Sequence, residues 1–217
     1  GAGRCFVSGF DRPNIRLGVE MRVNAKAQLL RVAKAHEGES GIVYCLSRAK
    51  TEKTAKFLNE NGIRALPYHA GMDADARTRN QDAFMMETGG VVIVATIAFG
   101  MGIDKPDVRY VCHTDMPGNV ESYYQEIGRA GRDGKPAVGH MIYGLDDLRM
   151  RRLFIEQEDG DVDHKRREHK RLDALIAYCE APECRRHALL AYFGETHPSG
   201  AGCGNCDICL DPPEMID

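Results

Sequence analysis

Val91-Val-Ile-Val-Ala95 is an unbroken apolar run, mostly β-branched, preceded by Gly89-Gly90 and followed by Thr96. A half-buried strand alternates apolar and polar residues. A continuous run instead predicts a strand buried on both faces, as in a parallel sheet covered by helices. The flanking sequence fits that architecture. Upstream, a helical stretch near Asn24 to His36 precedes the apolar run Gly41 to Cys45. Ser47 is a candidate cap for a helix through Thr51, Ala55 and Leu58 that Gly62 ends. Ala65 to His69 reads as a short strand, and Asp73 opens a helix through Phe84. Downstream, a strand at Val108 to His113, a helix near Asn119 to Gly128 and a strand at Val138 to Tyr143 continue the rhythm. The repeat implies a three-layer α/β domain with a mostly parallel sheet and right-handed crossovers. Functional loops are then expected at the carboxyl ends of the strands.

The character changes after Asp146. Arg149 to Glu158 reads as a connecting helix and Glu158-Asp-Gly-Asp161 as a break. His164 to Cys179 is a basic amphipathic helix expected to bury Leu172, Leu175 and Ile176; a second helix, about Glu183 to Phe193, follows Pro182. The expected division is an α/β domain over 1–150, its first 23 residues or so a connector, and a small helical domain over 151–217.

A hydrophobic fraction of 43% supports a core, and the net charge of -3 leaves room for a basic face on a near-neutral total. Of eight cysteines, Cys45 and Cys112 sit in apolar strand-like runs and read as small hydrophobes. No leader-like segment is evident, and the longest apolar stretch is too short to cross a bilayer. The expectation is a reducing intracellular compartment, cytoplasm or nucleoid in a bacterium and nucleus in a eukaryote.

Two segments carry candidate chemistry. Gln125-Glu-Ile-Gly-Arg129-Ala-Gly-Arg132-Asp-Gly134 places two arginines three apart among small residues, where a helix gives way to a turn. A guanidinium is permanently charged and grips phosphate oxygens at two points. By itself the pair fits a solvated helix end equally well. Thr96-Ile-Ala-Phe-Gly100-Met-Gly102-Ile-Asp104 follows the buried strand directly. It offers a hydroxyl, glycines that admit a close ligand, and a carboxylate for a ribose, a metal or an arginine. Alone it also reads as a tight glycine turn.

Together these segments resemble motifs V and VI of superfamily 2 helicases, and within them the RecQ family. The resemblance spans almost the whole chain: Phe10-Asp-Arg-Pro-Asn-Ile-Arg16, Tyr44-Cys-Leu-Ser-Arg48, Tyr68-His-Ala-Gly71, Ser122 to Gly134 and the cysteine cluster. It implies a RecA-like second motor lobe of an ATP-dependent 3′-to-5′ DNA helicase in recombination and repair. Arg132 would be the arginine finger toward an ATP γ-phosphate, assisted by Arg129, with Gln125 coupling nucleotide to cleft. Asp104 and Gly102 would line the cofactor cleft. Ser47, Arg48, His69 and Thr96 would face the DNA backbone, although a histidine at a strand end is more often structural. A DEAD-box RNA helicase would read His-Arg-Ile-Gly-Arg and Ala-Arg-Gly-Ile-Asp at these places, and this chain has neither.

No Gly-x-x-x-x-Gly-Lys-Ser/Thr and no Asp-Glu-x-His occurs in the sequence. The expectation is that ATP and Mg²⁺ are cradled by an N-terminal lobe outside these residues, and that this chain alone is inactive. A non-catalytic zinc-containing module that binds DNA or protein remains the alternative.

Cys203-Gly-Asn-Cys206-Asp-Ile-Cys209 offers three thiols at zinc-like spacing. Cys184 or Cys179 can supply a fourth, and His187 or His197 could replace one thiol. The RecQ resemblance selects Cys184, in Cys184-Arg-Arg186 ahead of Tyr192-Phe-Gly194. An iron–sulfur site is the other reading, but Pro213 stands where a ferredoxin motif continues with cysteine. A basic face from Lys165, Arg166, Arg167, Lys170, Arg171, Arg185 and Arg186 is a candidate approach to duplex DNA, or else a solvated helix surface.

Overall fold

A computed structural model describes residues 9–96 and 104–214. Its centre is a six-stranded sheet in the order β1-β6-β5-β2-β4-β3, with every pairing parallel. The strands are β1 Ile15–Met21, β2 Ser40–Tyr44, β3 Ala65–Tyr68, β4 Val92–Ala95, β5 Val108–His113 and β6 Ala137–Tyr143. Every residue of β4 is buried, as its unbroken apolar run requires.

Helices cover both faces. On one, α1 Ala25–Ala35 and α2 Arg48–Glu60 pack Leu29, Val32, Ala55 and Leu58 onto Val43, Val92 and Val94. On the other, α3 Ala74–Met86 and α4 Val120–Ile127 bring Phe84, Tyr123 and Ile127 against Ile42, Ile93 and Val111. Burying one such side chain contributes roughly 1.5–3 kcal/mol. Side chains of Asn24, Ser47, Asp73 and Asn119 cap these four helices by accepting from first-turn amides, which fixes where each begins.

The last four helices are α5 Leu145–Gln157, α6 Val162–Glu180, α7 Arg185–Tyr192 and the short α8 Asp207–Leu210. Leu172, Leu175, Tyr178, Cys184, Leu189 and Cys206 share a buried cluster with Ile15, Leu17 and Met141 of the sheet. Ile176, expected in that core, is only half-buried.

The connector expected before residue 24 is instead strand β1, paired along its length with β6. Ile15, Leu17 and Val19 alternate into the core while Arg16 stays exposed. An edge strand with one free side is an aggregation hazard. Here the cysteine-bearing segment covers part of it: the Leu17 amide donates to the Asn205 carbonyl at 3.3 Å and the Val19 amide to Asp207 Oδ2 at 3.1 Å. The connecting helix also starts earlier than expected, at Leu145, because Asp147 reaches back to the Gly144 amide at 3.0 Å and receives Arg22 at 2.8 Å.

Candidate functional site

The segment after α4 folds across the start of the sheet. The Gly131 amide donates to the Val108 carbonyl at 2.8 Å and the Asp133 amide to Pro106 at 3.0 Å. The double-arginine loop therefore lies at the amino ends of β5 and β6, not at the carboxyl ends where functional loops were expected. The cause is α4 itself, which runs back from the carboxyl side. Gly131 has φ +57, and a Cβ there would stand 2.5 Å from Asn14 Nδ2 and 2.9 Å from the Lys135 carbonyl. Only glycine fits that turn.

Arg132 is exposed. Its Nη1 donates to Asp104 Oδ1 at 2.9 Å, and Asp104 is itself 73% exposed at its side chain. An ion pair so open to solvent is worth little and separates easily. Arg129 is half-buried beside Tyr44. Burial pushes the Tyr44 hydroxyl well up, and the Arg129 guanidinium opposes that shift. Gln125 is exposed at the last turn of α4. The structure thus brings Arg132 and Asp104 together. Gly102, expected beside them, lies outside the described residues.

The expected DNA-facing residues gather at the opposite, carboxyl edge. Ser47 and Arg48 are exposed at the start of α2, where Ser47 Oγ accepts from the Lys50 amide at 3.1 Å. Thr96 follows β4 and is half-buried. His69 is buried, with Nε2 2.8 Å from Glu52 Oε1 and Nδ1 accepting from the Gly71 amide at 3.1 Å. Both of its ring nitrogens are therefore engaged inside the protein.

One buried polar group escaped sequence reading. His113, at the end of β5, meets Glu126 of α4 at 2.5 Å, stacks on Tyr44 with centroids 5.2 Å apart and borders Tyr123. Tyr123 in turn reaches the Tyr178 hydroxyl at 3.3 Å. A carboxylate at a core position of a short amphipathic helix was the available signal.

The thiols of Cys184, Cys203, Cys206 and Cys209 lie within 4.8 Å of one another, with Cys206 and Cys184 at 4.0 Å. Zinc–sulfur bonds of about 2.3 Å in a tetrahedron put sulfurs about 3.8 Å apart, so the quartet fits a closed zinc site. Cys179 is elsewhere, buried against Met141 Sδ at 3.7 Å. His187 and His197 face each other with tilted rings, centroids 5.0 Å apart, and are not in the quartet. Burial pushes Cys184 and Cys206 up. At Cys209 hydrogen bonds from the Gly204 amide and neighbouring thiols outweigh burial and bring the thiol down to about 7, which suits a thiolate ligand. Gly202, at φ +106, has no room for a side chain, since a Cβ would sit 2.8 Å from Cys209 Sγ.

Arg185 and Arg186 do not belong to the expected basic DNA face. Both are buried, at 5% and 4% exposure. Arg185 pairs with Asp207 at 3.0 Å and donates to the Tyr178 and Cys179 carbonyls at 2.8 and 3.0 Å. Arg186 holds Asp11 at 3.0 Å and the Arg12 carbonyl at 2.8 Å. Buried charges persist only when so paired. Lys165 and Arg171 make surface contacts with Glu156, Glu168 and Glu121, while Arg166, Arg167 and Lys170 remain exposed.

Among the described residues no helix is long and apolar enough to cross a membrane. Residues 22–134 match the family model described as helicase conserved C-terminal domain, and residues 145–210 the one described as RecQ zinc-binding. The chain is 45% identical over 213 residues to an "ATP-dependent DNA helicase RecQ" of Haemophilus influenzae, covering 98% of this chain and 34% of that protein. It is 43% identical to the "ATP-dependent DNA helicase hus2/rqh1" of Schizosaccharomyces pombe, covering 96% and 16%. The chain thus spans about a third of the first relative's length and less of the second's. Among solved structures, the DEAD-box protein SrmB of Escherichia coli superposes with a TM-score of 0.53 at 22% identity, covering 70% of this chain and 92% of that one. Dbp5 of Saccharomyces cerevisiae gives 0.54 at 19% identity, covering 75% and 46%. These two likenesses show the α/β fold alone.

Proposed function

We propose, from the premise that this chain belongs to the helicase conserved C-terminal domain family and carries a RecQ zinc-binding region behind it, that it is the second motor lobe and zinc region of an ATP-dependent 3′-to-5′ DNA helicase of recombination and repair. The division near residue 150 is part of this reading. ATP and Mg²⁺ sit on a first lobe carried by other residues of the protein, so this chain alone turns over no ATP.

When the lobes close, Arg132 leaves Asp104 and meets the γ-phosphate, where a second positive charge stabilises the transition state. Arg129 stays beside Tyr44 and structures the loop. Gln125, Asp104 and Gly102 line the interlobe cleft. At the carboxyl edge Ser47, Arg48 and Thr96 contact the DNA backbone, with the amides that open α2 available to phosphate. His69 braces the turn to Gly71 rather than touching phosphate. Cys184, Cys203, Cys206 and Cys209 hold a structural zinc that folds the glycine-rich tail onto β1.

The observation that carries this reading is Arg132: exposed, held by a weak surface pair with Asp104 and a long 3.4 Å bond from Nε to the Gly128 carbonyl, and rising from a loop whose backbone is fixed on both sides. In the intact enzyme Arg132→Ala should lower DNA-stimulated ATP turnover by about 10³-fold or more, roughly 4 kcal/mol of barrier, with nucleotide binding retained. Turnover within a few-fold of the parent enzyme would refute the finger assignment.

A further inference from the structure

The short segment from Phe10 to Asn14 lies ahead of both matched stretches, yet it holds the arginine loop by its carbonyls. Arg12 spreads its guanidinium over two of them, Nη1 to Gly128 at 2.7 Å and Nη2 to Ala130 at 2.8 Å. These are the carbonyls on either side of Arg129. Asn14 Nδ2 donates to Gly131 at 2.8 Å and to Lys135 at 2.9 Å, bracketing the stretch that carries Arg132.

The segment is itself gripped from the cysteine-bearing side. Arg186, two residues past Cys184, donates to the Arg12 carbonyl at 2.8 Å, the Ile15 carbonyl at 2.5 Å and Asp11 at 3.0 Å. Asn205, between Cys203 and Cys206, donates to the Pro13 carbonyl at 3.1 Å. Phe10 stacks on Phe193 with centroids 4.4 Å apart and meets Tyr124 of α4 edge-on at 5.5 Å. Glu195 accepts from the Phe10 amide at 3.0 Å.

We propose that Arg12 and Asn14 are positioning residues for the double-arginine loop, and that the zinc region sets the loop's geometry through Arg186 and Asn205. The proposal rests on the reading of Arg132 as the finger. Its physical basis is the tolerance of a two-point phosphate contact, since misplacing a catalytic group by about 1 Å costs on the order of 100-fold in rate. Each carbonyl accepting from a guanidinium is a charge-assisted bond, stronger than the neutral bonds that otherwise order a turn.

Two measurements test it. In the intact enzyme Arg12→Ala should lower kcat for ATP about 30- to 100-fold, with KM for ATP within about twofold and the zinc content unchanged. Arg12→Lys, which can serve one carbonyl at a time, should recover part of that loss. In this chain alone, hydrogen exchange at the Gly131 and Asp133 amides should quicken about tenfold in Arg12→Ala and in Arg186→Lys, with β4 amides unaffected. If Arg12→Ala does not fold, Arg12→Lys and Asn14→Ala carry both measurements. Unchanged kcat together with unchanged loop exchange overturns the proposal, as does a kcat loss matched by loss of zinc or of β4 protection. Should Arg132→Ala retain turnover, the finger reading falls, while the exchange measurement still judges the brace.

Discussion

The two edges of the sheet are built differently. At the amino edge the arginine loop is tied by Arg12 and Asn14, residues more than a hundred positions away, and by amides donating to the carbonyls of Val108, the first residue of β5, and of Pro106 just before it. At the carboxyl edge the exposed Ser47 and Arg48 rest on a local helix cap, with Ser47 serving the Lys50 amide. The difference matches the tasks proposed for them. A charge that completes a transition state needs one fixed geometry, and long-range bonds supply it. Contacts that must release a DNA backbone in each cycle need little more than an exposed donor.

Perturbing the edges separately sharpens the contrast. The largest effect is that of Arg132→Ala on turnover. Next comes the buried His113–Glu126 contact, which ties the end of β5 to the helix feeding the loop. Glu126→Ala strands a buried imidazole and should cost about 2–3 kcal/mol, read as a shifted denaturant midpoint. Turnover should fall in this variant more than DNA affinity does. A variant as stable as the parent would show that this contact does not hold α4 to the carboxyl end of β5. Smallest is Arg48→Ala, which should weaken binding of single-stranded DNA of any sequence and lower the salt slope of the affinity by about one, with ATP turnover at saturating DNA little changed. A lost sequence preference with an unaltered slope would contradict a backbone contact.

Much of this architecture was legible in the sequence because local chemistry dictates it. The unbroken run at β4, the caps Ser47, Asp73 and Asn119, and the cysteine spacing each state their structure within a few residues. Strand β1 reads as a connector in the sequence, even though Ile15, Leu17 and Val19 alternate with Arg16, Gly18 and Glu20, because its partner β6 lies over a hundred residues on. The burial of Arg185 and Arg186 was not legible. Their compensation comes from Asp207, Asp11 and main-chain carbonyls that only the fold assembles. The placement of the arginine loop at the amino edge was hidden for the same reason, because it depends on the path of α4 across the sheet.

On the proposed brace, the arginine loop is held from the zinc side while the carboxyl edge holds itself. Hydrogen exchange of this chain, loaded with zinc and then stripped by chelation, tests it most directly. Loss of zinc should quicken exchange at the Gly131 and Asp133 amides by about tenfold or more and change the Lys50 and Thr51 amides less than about twofold. Equal loss of protection at both edges, or an arginine loop that keeps its protection without the metal, would contradict it.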